Sequence, residues 1–131
     1  MTTRRRTLSP RRRPYTVLLN AHDSNTSNTK EAIATPTNGK RLRVVRVRAI
    51  QESADGRHLY ELYFGTGTNI TTNPEKAVGI LDIADLSEDE TRTFLRGEGP
   101  RGLRNEVLSG RWAGTAPTTV HKIMVEYEEE S

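Results

Sequence analysis

Three histidines, His22, His58 and His121, and two groups of carboxylates are the residues of this chain whose types could ligate a metal or move a proton. The histidines lie in separate segments, no two at the spacing that sets a pair of imidazoles on one helix face, and the chain has no cysteine to join them. His58 and His121 sit inside strand patterns and read as half-buried sheet residues, so neither metal nor cofactor is expected. The carboxylates fall at Asp82, Asp85, Glu88, Asp89 and Glu90, and at Glu126, Glu128, Glu129 and Glu130. Glycosidic chemistry needs two of them held at a fixed separation across a cleft. Adjacency in sequence does not supply that, and solvated loop and tail charge is the plainer reading. FGTGTN, Phe64 to Asn69, has two glycines after a strand. It lacks the third glycine, the lysine and the following helix that cradle a phosphate. No catalytic constellation emerges, and the chain reads as a non-enzyme without a small-molecule substrate.

The other chemistry is arginine. RRRTLSPRRR carries Arg4, Arg5, Arg6, Arg11, Arg12 and Arg13, bidentate donors suited either to nucleic-acid phosphates or to carboxylates on a protein surface. Ser9-Pro10-Arg11-Arg12 is similar to the Ser-Pro-basic-basic repeats of histone tails, though it occurs once. The six arm arginines, taken from 20 basic residues, leave 14 in the remainder against 17 acidic residues. The body is therefore mildly acidic, and its few aromatics form no RNA-binding signature. One further basic stripe, Arg41, Arg43, Arg46 and Arg48, reads as the wet side of a sheet ahead of an interface. Nucleic acid stays open as a partner through the arm alone.

The length of 131 residues suits one domain, divided into an extended basic arm, 1–14, and a β-sandwich, 15–131. Hydrophobic residues make up 33%, a thin core that invites help from neighbouring subunits. The first apolar run, Val17 to Leu19, is too short for a signal peptide, and no run approaches the roughly 20 residues of a membrane span. The expected setting is the cytosol or something assembled there, with no membrane partner.

Short β-prone segments bounded by Gly, Pro, Asn and Asp follow the arm: Tyr15–Ala21, Lys30–Ala34, Arg41–Gln51, His58–Phe64, Lys76–Ala84, Thr91–Leu95, Glu106–Trp112 and Thr119–Glu128. About eight strands is the count of a jelly roll. RLRVVRVRAIQE and HLYELYF flank SADGR, whose Asp55-Gly56 suits a tight turn, so the spacing predicts a hairpin. In the first of these strands Leu42 and Val44 share one face while Val45, Val47 and Ala49 share the other; a β-bulge near Val44 and Val45, or burial on both faces, accounts for the change. SEDE before TRTFLRG is a capping box, yet only Phe94 and Leu95 offer apolar contact. For Ser87–Arg96 strand or extended loop is preferred to one short helix. GEGPRGLRNE, Gly97 to Glu106, reads as a surface loop that mediates contact. Arg101 and Arg104 on it, with Trp112, are the candidate subunit-interface residues, Trp112 serving as a core or interface anchor.

From about Tyr15 onward the order of features resembles small jelly-roll proteins of tailed-bacteriophage virions, in particular head decoration or cement proteins. The carrying features are YTVLLNA, a Thr- and Asn-rich link, PTNGKRLRVVRVRAI, LYELYFG, EVLSGRWAG and TTVHKIMVEYEEE with its Val-x-Tyr-x-Glu-Glu ending. The resemblance implies a trimer on the outer capsid face whose arm reaches over the major capsid protein. The arginine density of the arm departs from that pattern and leaves capsid protein or packaged DNA as its target. Two other readings are a DNA-gripping protein with a dimerising β domain and a tail or neck component that binds glycans through its loops.

Overall fold

The computed structural model describes residues 16–51, 55–72, 74–83, 89–95 and 97–131, so the arginine arm lies outside the described residues. Eight strands form: β1 Leu18–Asp23, β2 Glu31–Ala34, β3 Arg41–Ile50, β4 His58–Phe64, β5 Ala77–Ile83, β6 Asp89–Thr93, β7 Leu108–Ala113 and β8 Lys122–Glu130. They make two four-stranded antiparallel sheets, in the orders β1-β8-β3-β6 and β2-β7-β4-β5. The chain is an all-β sandwich with its apolar core between the sheets. No helix among the described residues is long and apolar enough to cross a membrane.

β3 shows why the phase of its apolar residues changes. Its register against β8 shifts between Val44 and Arg46, a bulge at Val45. The extra residue restores the alternation, so Leu42, Val44, Val47 and Ala49 all face inward and are buried. The same bulge turns Arg43, Arg46 and Arg48 outward together.

The expected hairpin between β3 and β4 does not form. β3 pairs with β8 and β6, β4 with β5 and β7, and the Asp55-Gly56 segment carries the chain from one sheet to the other. Gly56 does take the positive φ the turn requires, at 80°. Turn chemistry encodes reversal of direction, and a reversal serves an arch between sheets as well as a ladder within one. Further along, Asp89–Thr93 is strand, as preferred; Ser87, Glu88 and Arg96 lie outside the described residues.

β4 is buried on both faces. His58, Tyr60, Leu62 and Phe64 face the other sheet, while outward-pointing Glu61 and Tyr63 are covered by the segment leading to β5. Tyr63 donates its hydroxyl proton to Gly67 O at 2.9 Å and Ile70 N–H donates to Glu61 at 3.2 Å. Arg111 reaches the same Glu61 carboxylate at 3.4 Å, so the covered acid has a cationic partner.

Candidate docking surfaces

The Gly97–Glu106 loop is built against β3 through its backbone. Val44 N–H donates to Pro100 O, and Gly102 N–H to Leu42 O, each at 2.9 Å, extending the side of β3 that β6 occupies further along. Glycine is needed for this approach: a Cβ on Gly99 would stand 1.9 Å from Val44 O, and one on Gly102 2.7 Å from the Phe64 ring. The loop thus supports the core as well as covering it, more than a contact loop alone would.

That anchoring sends its side chains outward. Arg101 and Arg104 are exposed, and Leu103 is 59% exposed. Arg101 lies opposite Arg43, and both reach Glu130, at 3.3 Å and 2.7 Å. The Arg43 guanidinium holds Glu130 below the usual carboxylate range against the opposing effect of burial, with Arg101 adding to it. Arg104 makes no ion pair among the described residues. Between this loop and the start of β5 lies a cavity of about 460 Å³ with Phe64, Pro100 and Leu103 as apolar wall and the Lys76–Glu106 ion pair on its rim.

The basic stripe on the outer face is largely neutralised within the chain. Arg43 pairs with Glu130 and Arg46 with Glu126, because β8 brings its glutamates alongside β3. Sequence alone showed the arginines and the glutamate-rich end without showing that they are neighbours. The face is a charge ladder rather than an open phosphate-binding stripe.

Of the two readings of Trp112, core anchor and interface anchor, the structure favours the first. It is fully buried within the chain and serves as a core anchor, with no surface left to offer as an interface residue. Its Nε1–H donates to Asn25 O at 2.9 Å, and its ring packs edge-on against Tyr60, His121 and His58 at centroid distances of 4.7, 5.0 and 5.9 Å. The histidines that were scattered in sequence therefore converge at the end of the sandwich opposite the glycine loop. His22 Nε2 lies 2.7 Å from Glu31 Oε1, and Tyr60 donates its hydroxyl proton to Glu31 Oε2 at 2.8 Å. Burial, then the Glu31 carboxylate, pushes the Tyr60 phenol far above its ordinary value, so it stays a donor.

Asp55 is the second hub of that end, and sequence reading had assigned it only a turn. Its carboxylate accepts from Thr118 N and Oγ1, both at 2.8 Å, and from Thr119 N and Oγ1, both at 3.0 Å. Burial opposes its ionisation, but these four donors outweigh it and bring the carboxyl down to about 2. A Thr-Thr pair far along the chain was the available signal, without any hint of the partner. The described residues contain no group of three or more His, Cys, Asp or Glu side chains able to hold a metal ion. Set beside known proteins, the chain matches no family model, no curated protein and no solved structure.

Proposed function

We propose that this protein is a non-enzymatic structural component of a virus particle, a decoration or cement protein on the head of a tailed bacteriophage. The observation that carries the reading is the strand order. β1-β8-β3-β6 over β2-β7-β4-β5 is the order obtained when an eight-stranded antiparallel chain is rolled up as two nested Greek keys, which supports a jelly roll, a fold used in capsid proteins. Fold alone is an associational argument, and the distribution of charge adds a physical one. Arg43 and Arg46 of the outer face are engaged by β8 glutamates, and Arg101 shares Glu130, so the arm arginines and Arg104 are the cationic groups best placed to meet a partner. β1 begins at the end where β8 finishes, with Leu18 opposite Tyr127, and the glycine loop caps that same end. The loop thus lies at the end where β1 begins, and acidic lattice protein is the partner that suits guanidinium groups there and on the arm.

Co-sedimentation with capsids stripped of the protein tests this. Full-length chain is expected to bind, and a variant with Arg4, Arg5, Arg6, Arg11, Arg12 and Arg13 all changed to Ser is expected to lose most of that binding. Failure of the unaltered chain to bind capsids, with salt-sensitive binding to duplex DNA instead, would assign the arginines to phosphates and overturn the reading.

A further inference from the structure

His58 opens β4 with 8% of its surface exposed, and both of its ring nitrogens meet backbone carbonyls: Nε2 lies 2.6 Å from Asp55 O and Nδ1 2.9 Å from Thr115 O. A carbonyl oxygen only accepts, so each nitrogen has to supply a proton. A neutral ring has one N–H and would aim its bare lone pair at the other oxygen, in a buried setting where that mismatch is costly. The pattern fits the imidazolium.

A buried cation needs a compensating charge, and one is in place. Asp55 Oδ2 lies 3.9 Å from His58 Nε2, with the His58 and Asp55 side chains 7% and 10% exposed. The Asp55 carboxyl, brought down to about 2, is ionised across the neutral range. The other described groups packed around the ring leave that balance alone. Arg57, next in the chain, faces solvent and pairs with Asp82 at 2.7 Å. β5 sets Ile83 opposite and β7 brings Trp112. Gln51 is neutral, donating to Gly56 O and accepting from Asp55 N, and Glu31 is taken by His22 and Tyr60.

His121, whose ring meets that of His58 edge-on at 6.0 Å, is built for the opposite state. Its Nδ1 lies 2.9 Å from Thr119 O and so carries the proton, while Nε2 is buried without a hydrogen-bond partner among the described residues. A proton on Nε2 would be unpaired and would sit beside a like charge.

We propose that His58 is a buried imidazolium which, beside a neutral His121, clasps the β7–β8 connection, residues 114–121, and lets it go when its second proton leaves. Each tie ends on that segment: His58 on Thr115 O, His121 on Thr119 O, and Asp55 on the N–H and hydroxyl groups of Thr118 and Thr119. The fold binds the charged form of His58, so the clasp is complete with that proton bound and weakens as rising pH removes it. Deprotonation leaves a lone pair facing a carbonyl and takes from Asp55 its counter-ion. The inference is independent of the capsid reading.

Proton–nitrogen correlation spectra of the imidazoles in the full chain decide it without any substitution. At about pH 8, where an ordinary imidazole has given up its second proton, His58 is expected to show protons on both ring nitrogens and His121 one proton, on Nδ1. Raising the pH until the second His58 proton leaves is expected to speed amide exchange at Thr118 and Thr119 about tenfold or more beyond the intrinsic rise, with β4 amides unchanged. A His58→Gln variant keeps one donor and is expected to show the faster exchange already at about pH 7, with no further step. Should that variant not fold, the spectra of the unaltered chain still decide. A single ring proton on His58 at about pH 8, a second proton on His121, or exchange at Thr118 and Thr119 indifferent to the His58 proton would overturn the proposal.

Discussion

The two ends of the sandwich are closed by different means. At the end that holds Trp112, side chains do the closing: Glu31 and Asp55 each gather several donors, and Asn28 Nδ2 reaches Trp112 O at 2.8 Å and Gly114 O at 2.7 Å. At the opposite end the backbone does it. Val44 and Gly102 bond across to Pro100 and Leu42, Asn105 N–H to Lys40 O at 2.8 Å, and Gly65 N–H to Val107 O at 2.9 Å. The lesson concerns what is left over. An end closed by side chains has spent its chemistry inward, whereas one closed by backbone leaves Leu103 and Arg104 facing outward, with Arg101 exposed beside Glu130. On the proposed reading, stability is expected to concentrate at the first and contact at the second.

The largest break in that contrast is expected from Trp112→Ala. Removing a buried indole packed among Tyr60, His58 and His121 is expected to cost about 3–5 kcal/mol in chemical denaturation. Indifference to this change would mean that the first end does not carry the stability assigned to it.

Next comes Gly99→Ala. The added methyl meets Val44 O, so either the loop lifts or β3 shifts, at a cost of about 1–3 kcal/mol. Faster amide exchange at Val44 and Gly102 would localise the damage to the backbone-closed end.

Asp55→Asn is expected to lose about 1–2 kcal/mol at neutral pH, since the amide cannot accept from all four threonine donors as well as a carboxylate does. The pH dependence sharpens the point. With its carboxyl at about 2 in the fold and at an ordinary 3.8 otherwise, Asp55 stabilises fully above about pH 4. That contribution fades as the pH falls towards 2. Denaturation midpoints of the unaltered chain and Asp55→Asn are therefore expected to converge in that window; a constant gap would assign the effect to packing.

The smallest effect belongs to Arg104→Ala. An exposed side chain without an ion pair among the described residues is expected to change stability by less than about 0.5 kcal/mol, while weakening capsid co-sedimentation on the proposed reading. A comparable change in stability would make the loop arginine structural and erase the distinction between the ends.

Much of the fold was legible locally. Period-two alternation located eight strands, β4 at its observed bounds and the others within a few residues, and the phase change in β3 announced its bulge. Those features follow from alternation along one strand, which any window of sequence contains. The site was less legible. Arg101 and Arg104 are exposed as expected of a loop, but Trp112 is not a surface residue. A strand signal says that a side chain points to one face without saying which face is covered. Glu31 and Asp55 went unnoticed as hubs because their donors lie at Tyr60, Thr118 and Thr119.

By itself the sequence determined strand positions, the bulge, the glycine turns and the separation of a basic arm from a mildly acidic body, all consequences of local sterics and composition. Tertiary structure alone decided that β3 and β4 belong to different sheets, that β8 glutamates pair with Arg43 and Arg46 of β3, and that two distant histidines, His58 and His121, pack against one tryptophan. The physical reason is that these outcomes depend on which strands become neighbours. That choice is made by burying every apolar face at once, and no single segment contains the information needed to make it.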